Sequence, residues 1–550
     1  MAETTDLDTL RERYVLGIDL GTGGPKVAIV SGSGEVVDSE ARPNTIDVLA
    51  DGGVQQSPAQ WWSTVSDAAR TLVARGAVPA SAIVAVACTG QWSGTVAVDA
   101  AGQPLMDCIT WMDSRGSAPI AKRVGGLVPV DGYGLTKALR WIRIAGGAPG
   151  LSGKDPVAHI LFIRQSHPDV YEATATFLEP VDYLNLRLTG RRSASYDSIT
   201  LHWVTDNRRI DRVDYHPTLL RLAGLDRAKL PDLVPPAQVI GNVLPDVAAE
   251  IGLSPDTVVV TAMGDVHSAA IGSGAVAPYA CHLYIGTSSW LTCHVPFKRA
   301  SIANGIATIP SAIPGRYMVA DEQETAGGCL TFLANGMFLA DDELAARGDD
   351  AGDAGATSAT PATFAAFDAM AARVPAGANG VVFTPWLNGE RTPVDDHLTR
   401  ASFTNLSLGT SRADLVRAVY EGVALNSRWM LGAVEKLVRK PSGPINFVGG
   451  GAKADVWAQI LADVLARPIR QMADPIHAGV RGAALMAVVA LCGRPIEDVA
   501  GTVKVRRTFE PDPANRALYD QRYGHFLRYY RRTKSIHAAL NKQADPGSRA

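Results

Sequence analysis

Two carboxylates, Asp19 and Asp265, each end an apolar run, and two Gly-Thr turns, Gly21-Thr22 and Gly286-Thr287, lie one in each half of the sequence. A tight turn directs successive backbone N–H groups into one concavity and so binds an anion without a cationic side chain, and glycine lets that anion reach the backbone. A carboxylate beside such a turn is placed to hold a divalent cation, which prefers oxygen and keeps several waters. Only the first turn carries one, Asp19, with Lys26 on the following run as a further source of positive charge. The combination reads as a split clamp for ATP, with Asp19 toward Mg2+, Gly21, Thr22, Gly23 and Lys26 on one side of the phosphates, and Gly286 and Thr287 on the other. Asp265 follows the apolar run 258–263 and precedes the small residues 268–274. Phosphoryl transfer to an alcohol needs a carboxylate that takes the hydroxyl proton, and Asp265 is the candidate; the competing reading is an N-cap of the next helix.

The elements that must carry these residues alternate between strand and helix. The apolar run ending at Asp19, the run 26–30 and the run 35–37 are separated by glycine-rich turns and read as an antiparallel meander. A helix over 58–75 and a strand over 83–88 follow, the strand delivering Gly90-Gln91-Trp92-Ser93-Gly94 to one edge of a sheet. In the second half a long helix is expected over 411–437, with Ser411 as N-cap, and Gly450-Gly451 lead through Lys453 into a helix over 455–465. Residues 341–360, rich in Ala, Gly, Asp and Thr, read as a loop excursion. The apolar run 483–492 is shorter than the roughly 20 residues of a membrane span and reads as a buried helix. Aromatic and basic residues mixed over 515–534 fit one face of a packed amphipathic helix better than a nucleic-acid surface. The fold class is α/β, with sites expected at strand ends.

At 550 residues the chain is long enough for two large domains, and a net charge of -3, from 52 basic against 55 acidic side chains, gives no global field for nucleic acid or an anionic membrane. The six cysteines form no Cys-x-x-Cys pair, which argues against a zinc site and a disulfide framework. The polar, acidic N-terminus lacks a secretory pattern, so a cytoplasmic location is expected. The expected partner is a small sugar or polyol, with no nucleic acid and no membrane; a homodimer is the assembly this reading allows.

Several segments in one order resemble the FGGY carbohydrate kinases: Asp19-Leu20-Gly21-Thr22, Gly90 to Gly94, Trp111-Met112-Asp113-Ser114-Arg115, Glu179-Pro180-Val181-Asp182-Tyr183-Leu184, Gly264-Asp265, Glu390-Arg391-Thr392-Pro393 and Gly449-Gly450-Gly451-Ala452-Lys453. The resemblance implies a two-domain actin-like, ribonuclease-H-like ATPase fold with the active site in the cleft between domains. It implies a sugar-binding domain with the catalytic base at 14–275, an ATP-binding domain at 281–495, and a helical tail at 496–550. It further implies ATP and Mg2+, catalysis by Asp265, sugar contacts from Gln91, Trp92, Ser93, Asp113 and Asp265, and nucleotide contacts that add Gly327, Gly450, Gly451 and Lys453 to the two turns. The expected reaction is phosphorylation of a primary hydroxyl of a pentulose, D-xylulose first. Alternatives are another ketose or polyol such as ribulose or erythritol, a catalytically weakened sugar sensor, and a mechanical or chaperone ATPase of the same superfamily. The chain departs from the family pattern twice. Trp92-Ser93 stands where pentulose-acting members carry Met-His, and Gly23-Gly24-Pro25 replaces hydroxyl-bearing residues after the first turn. Asp113 and Arg115 have a competing reading as an internal ion pair that braces their loop.

Overall fold

The computed structural model describes residues 5–130, 132–301, 305–338 and 359–541. Two sheets dominate it. In the first, β1 (Tyr14–Gly21), β2 (Gly24–Ser31) and β3 (Val36–Ala41) form the expected antiparallel meander. On the other side of β1 come β4 (Ile83–Gly90) and then β6 (Val258–Val260), both parallel, with β5 (Val239–Asn242) antiparallel at the edge and β7 (Met263–Gly264) rejoining β4. The apolar run 258–263 is thus two short strands. Between them Thr261 donates its N–H to Gln238 rather than to the parallel ladder, and the chain re-pairs at Met263.

The second sheet repeats this order. An antiparallel meander of β8 (Cys281–Ile285), β9 (Ser289–Val295) and β12 (Tyr317–Gln323) is followed on the other side of β8 by β13 (Ile445–Val448) and β14 (Ile469–Met472), both parallel. Beyond the meander lie β11 (Ile306–Pro310) and β10 (Ala300–Ser301), and at the far edge β15 (Val505–Phe509) pairs antiparallel with β14. The stretch beyond residue 496, expected as a helical tail, therefore also supplies a sheet strand. A short run of alternating basic residues is hard to distinguish from helix by periodicity alone. Its long helix, α7 (Arg516–Asn541), buries Tyr519, Phe526 and Tyr530 against the second-domain core.

Helices fall where their signals stand. α1 (Pro58–Arg75) is capped by the Ser57 hydroxyl, starts on proline and ends at Gly76 in the left-handed region. α4 (Arg412–Val438) opens with a reciprocal Ser411–Asp414 capping box. α5 (Asp455–Leu465) follows the glycine run. The 341–360 excursion lies outside the described residues but for its last two, and Thr360 caps the next helix, Pro361–Arg373.

Strand alternation in β1 fixes what each face meets. Leu16, Ile18 and Leu20 pack with Trp61, Trp62 and Val65 of α1, whereas Val15, Gly17 and Asp19 face the opposite side. That side is covered by α6 (Ala478–Cys492), which comes from the second half of the chain yet packs Val480, Ala483, Ala484 and Ala487 onto Val15, Ala28, Ala85 and Ala87. By composition and length the segment containing α6 matches a membrane span, but it is largely buried within the protein. α6 crosses α3 (Asp265–Gly272) at backbone contact. A methyl group at Gly482 would lie 1.9 Å from the Ser268 carbonyl oxygen, and one at Gly272 would lie 1.9 Å from that of Ala478. Gly482→Ala is expected to force this crossing apart, costing about 1–3 kcal/mol or more; thermal or denaturant unfolding of the variant reads that loss.

Candidate active site

β1 carries Asp19 and α3 begins at Asp265, so the crossing of α3 and α6 sets the two acids against each other. Asp19 Oδ2 sits over the first turn of α6, where a methyl at Gly479 would be 2.4 Å from it. The partial positive charge at a helix N-terminus favours a carboxylate there. Burial still raises its pKa, opposed by Lys26, its cross-strand partner, and by His477. No protein donor is hydrogen-bonded to either Asp19 oxygen among the described residues, and this free anionic pair fits a hard divalent cation.

Asp265 accepts the Val266 N–H at 2.9 Å, and its pKa is pushed up to about 7, first by burial and then by the charge of Asp19, with Lys26 opposing. The carboxyl is held by a buried scaffold. Asp197 accepts the Gly264 N–H at 3.3 Å and the Ser195 hydroxyl at 2.7 Å, fixing the residue just before Asp265.

The two Gly-Thr turns have the form a clamp needs. Among the described residues, the N–H groups of Thr22 and Gly23 in the first turn, and of Thr287 and Ser288 in the second, donate to no protein acceptor. Gly23 has open space around it, whereas Gly24, at φ +136°, is required because a methyl there would strike the Arg42 carbonyl at 1.9 Å. The second turn is stapled from behind, with Gly327 and Gly328 donating their N–H groups to the carbonyls of Gly286 and Thr287. A methyl at Gly327 would lie 2.3 Å from the Gly286 oxygen. A methyl at Gly449, at φ +91°, would lie 2.4 Å from the Ile285 carbonyl oxygen and one at Gly451 2.9 Å from the Ile285 side chain, with Gly450 open between them and Lys453 exposed beyond. Gly286, Thr287, Gly327, Gly450 and Gly451 thus gather at the end of β8, while Asp19, Gly21, Gly23 and Lys26 gather at the end of β1.

The expected sugar contacts fare differently. The Asp113 side chain is fully buried, accepting the Val54 N–H at 2.9 Å and pairing with Arg115 at 2.7 Å, so the loop-bracing reading is the one its geometry supports. Trp92 is buried, donates its indole N–H to the Ser198 carbonyl at 2.9 Å and wedges between Val266 of the first domain and Ile309 and Met318 of the second. That places the ring at the domain interface. Ser93, at φ +66°, donates its hydroxyl to the Lys154 carbonyl at 2.8 Å. Gln91 donates to Gln56 Oε1 at 2.8 Å and accepts from the Thr22 hydroxyl at 3.4 Å. Thr22 Oγ1 in turn accepts the Trp111 indole N–H at 3.0 Å, so the Thr22 side chain is engaged by Gln91 and Trp111 and its backbone N–H is the group left free. His267, fully buried, accepts the Ala312 N–H at 3.4 Å and meets Trp92 edge-on; it is a packed residue.

Residues absent from the sequence-derived set close the cleft. Arg391 of the second domain bonds Glu322 at 2.8 Å, pairs with Glu324 and lies 5.7 Å from the Trp111 ring centroid of the first domain. Lys154, half-buried in the first domain, reaches Glu324 at 3.8 Å. Glu390, beside Arg391, is buried as a brace for the Glu324 N–H and Asn426. The Trp111 motif and the Glu-Arg pair stood in the sequence; their meeting across the cleft required the tertiary fold.

Comparison with known proteins agrees with this geometry. Residues 14–272 match the N-terminal domain, and residues 280–491 the C-terminal domain, of the FGGY family of carbohydrate kinases. A xylulose kinase of Staphylococcus epidermidis is 29% identical over 541 residues, covering 96% of this chain and 99% of that one. An autoinducer-2 kinase of Yersinia enterocolitica is 27% identical over 515 residues, covering 92% of each. The crystal structure of xylulose kinase from Rhodospirillum rubrum superposes with a TM-score of 0.78 at 26% identity, covering 96% of this chain and all of that one. Two sheets of repeated topology, a buried acid within the field of a second acid, two Gly-Thr turns with free N–H groups and these matches lead to one conclusion: the chain belongs to the FGGY family of carbohydrate kinases.

Proposed function

We propose that this sugar kinase transfers the γ-phosphoryl group of ATP to a primary hydroxyl of a small ketose, with D-xylulose the first choice. The observation that carries the reading is Asp265, a buried carboxyl with a pKa near 7 within the field of a second acid, Asp19, in a fold with two Gly-Thr turns whose N–H groups are free. The names of the xylulose kinase relatives support the substrate choice, while the autoinducer-2 kinase at similar identity keeps other small polyols in the test.

In this reading Asp265 accepts the proton of the attacking hydroxyl as the oxygen approaches phosphorus. The Thr22, Gly23, Thr287 and Ser288 N–H groups hold phosphate oxygens from both sides, and Lys26 adds charge. Mg2+, held by Asp19 directly or through water, would neutralise phosphate charge. Gly450 and Gly451 present open backbone to the nucleoside, with Lys453 at its rim. Trp111, Lys154 and Arg391 form one wall between the domains, and Gln91 holds that wall in register with the first turn through Thr22. Arg391 meeting Trp111 and Lys154 meeting Glu324 tie the two domains together, which excludes water and limits wasteful hydrolysis. The free donors at Thr22 and Gly23 favour a working kinase over a weakened sensor, because backbone N–H groups remain to hold phosphate where side-chain hydroxyls are missing.

The test is a coupled ADP-release assay over pentuloses, hexuloses and polyols: D-xylulose is expected to give the highest kcat/KM, and release with none of them sinks the reading. Asp265→Asn should leave sugar binding by calorimetry intact and lower kcat by 100-fold or more, about the share general-base catalysis contributes. The wild-type kcat/KM should climb with pH through about 7 as Asp265 ionises. The sign for stability is opposite. A carboxyl with a raised folded-state pKa contributes stability at low pH that is lost as pH rises through about 7. The Asn variant should therefore melt higher than wild type at pH 8 and by a smaller margin at pH 4.

A further inference from the structure

The cleft holds a third group that neither the two turns nor the two acids account for: the phenol of Tyr284. On β8 its side chain projects from the same face as residue 286, two positions on. The phenol oxygen lies where a side chain of residue 286 would begin, 2.6 Å from the position of a methyl group there. Gly286 has no positive φ, and the absence of a side chain there leaves room for the Tyr284 ring and hydroxyl to lie against the second turn. The ring is seated against Val448, Met472 and Ala478. Ala478 precedes Gly479, over which the Asp19 carboxylate rests. Tyr284 thus bridges the space from the second phosphate turn to the metal-side acid. Its hydroxyl has no protein hydrogen-bond partner among the described residues, and the residue is only partly buried.

The chemistry of such a group follows from its neighbours. The charges of both Asp19 and Asp265 reach it and, after burial, raise its pKa, so at neutral pH it is a neutral O–H donor. An unpaired donor placed between a base that deprotonates the attacking hydroxyl and a turn that holds the leaving phosphates lies beside the path of the group in transit.

We propose that the Tyr284 hydroxyl donates a hydrogen bond to the γ-phosphoryl group as it passes from ATP to the sugar, serving as a catalytic donor alongside the backbone of the second turn. The inference rests on the kinase reading above. It places on a side chain part of the stabilisation that the hydroxyl-poor first turn does not supply. No covalent step is added: the phenol keeps its proton, Asp265 takes that of the sugar hydroxyl, and the phosphoryl group moves from the ADP oxygen to the sugar oxygen.

Tyr284→Phe retains the ring and its packing and removes only the donor. With the best sugar from the panel, kcat is expected to fall about 10- to 100-fold, the range of a hydrogen bond to a charged group, with the sugar KM changed less than twofold. Calorimetry with Mg-ADP and with the magnesium complex of the β,γ-imido analogue of ATP gives a readout independent of the sugar. The variant should bind Mg-ADP as wild type does and lose about tenfold of its affinity for the triphosphate analogue. A variant with wild-type kcat and an unchanged affinity ratio overturns the proposal while leaving the kinase reading intact, as does one whose only change is a lower melting temperature. If wild-type protein phosphorylates no sugar, the kinase reading falls, and the ratio of the two nucleotide affinities still decides for or against Tyr284. Failure of wild-type protein to bind either nucleotide overturns both.

Discussion

Gly272 and Gly482 bring α3 and α6 to backbone contact, and the chemistry of the cleft hangs from that crossing. Asp265 starts one helix, and Asp19 rests on the first turn of the other. Two carboxylates within each other's field repel, and a mobile pair would separate and stay ionised. Here the crossing holds them close in a buried site, and burial first, with the charge of Asp19 second, leaves an Asp265 that binds a proton near neutral pH. Small residues along both helices, Ser268, Ala269 and Gly272 against Ala478, Gly479 and Gly482, let the backbones approach this far. A single added methyl at the crossing would therefore reach Asp265 through rigid backbone rather than through any side-chain contact.

The repeated sheet order explains why there are two turns, and the occupants of the turns explain why their roles differ. β1 and β8 occupy equivalent central positions, each followed by a tight turn with two free N–H groups. From β1 the alternation delivers an acid toward α6; from β8 the same alternation delivers Tyr284 toward that helix. One half therefore supplies negative charge suited to a cation, the other a neutral donor suited to phosphate. This asymmetry was already partly visible in the first turn, where Asp19 stands beside Gly23, Gly24 and Pro25.

The framework was legible because its signals are local. Apolar alternation, Gly-Thr turns, the Ser57 and Ser411 caps and the glycine stop at Gly76 each act within a few residues, and they located the strands, both turns and the main helices. Side-chain commitments were not legible, because their partners lie far away in sequence. Nothing near Trp92 announces the Ser198 carbonyl or Met318, and nothing near Asp113 announces Val54, so residues that motif matching placed around a sugar are held by the protein itself. Tyr284 was passed over for the opposite reason: an aromatic residue in an apolar strand reads as packing, and only its approach to Gly286 reveals an unpartnered hydroxyl. Likewise the run 483–492 was readable as a buried helix, but not which sheet would bury it.

That last point bears on how the protein comes into being at the ribosome. The face of the first sheet formed by Val15, Ala28, Val30, Ala85 and Ala87 is covered by α6, the last long helix of the second half before α7. Every strand of that sheet has been synthesised by residue 264, yet its apolar face stays uncovered until residue 492 follows, roughly 10–45 s later at 5–20 residues per second. The second domain must be threaded out in the meantime, so the first cannot mature as an independent unit. The face of the first sheet that carries Asp19 therefore receives its helix only when most of the second domain has been made.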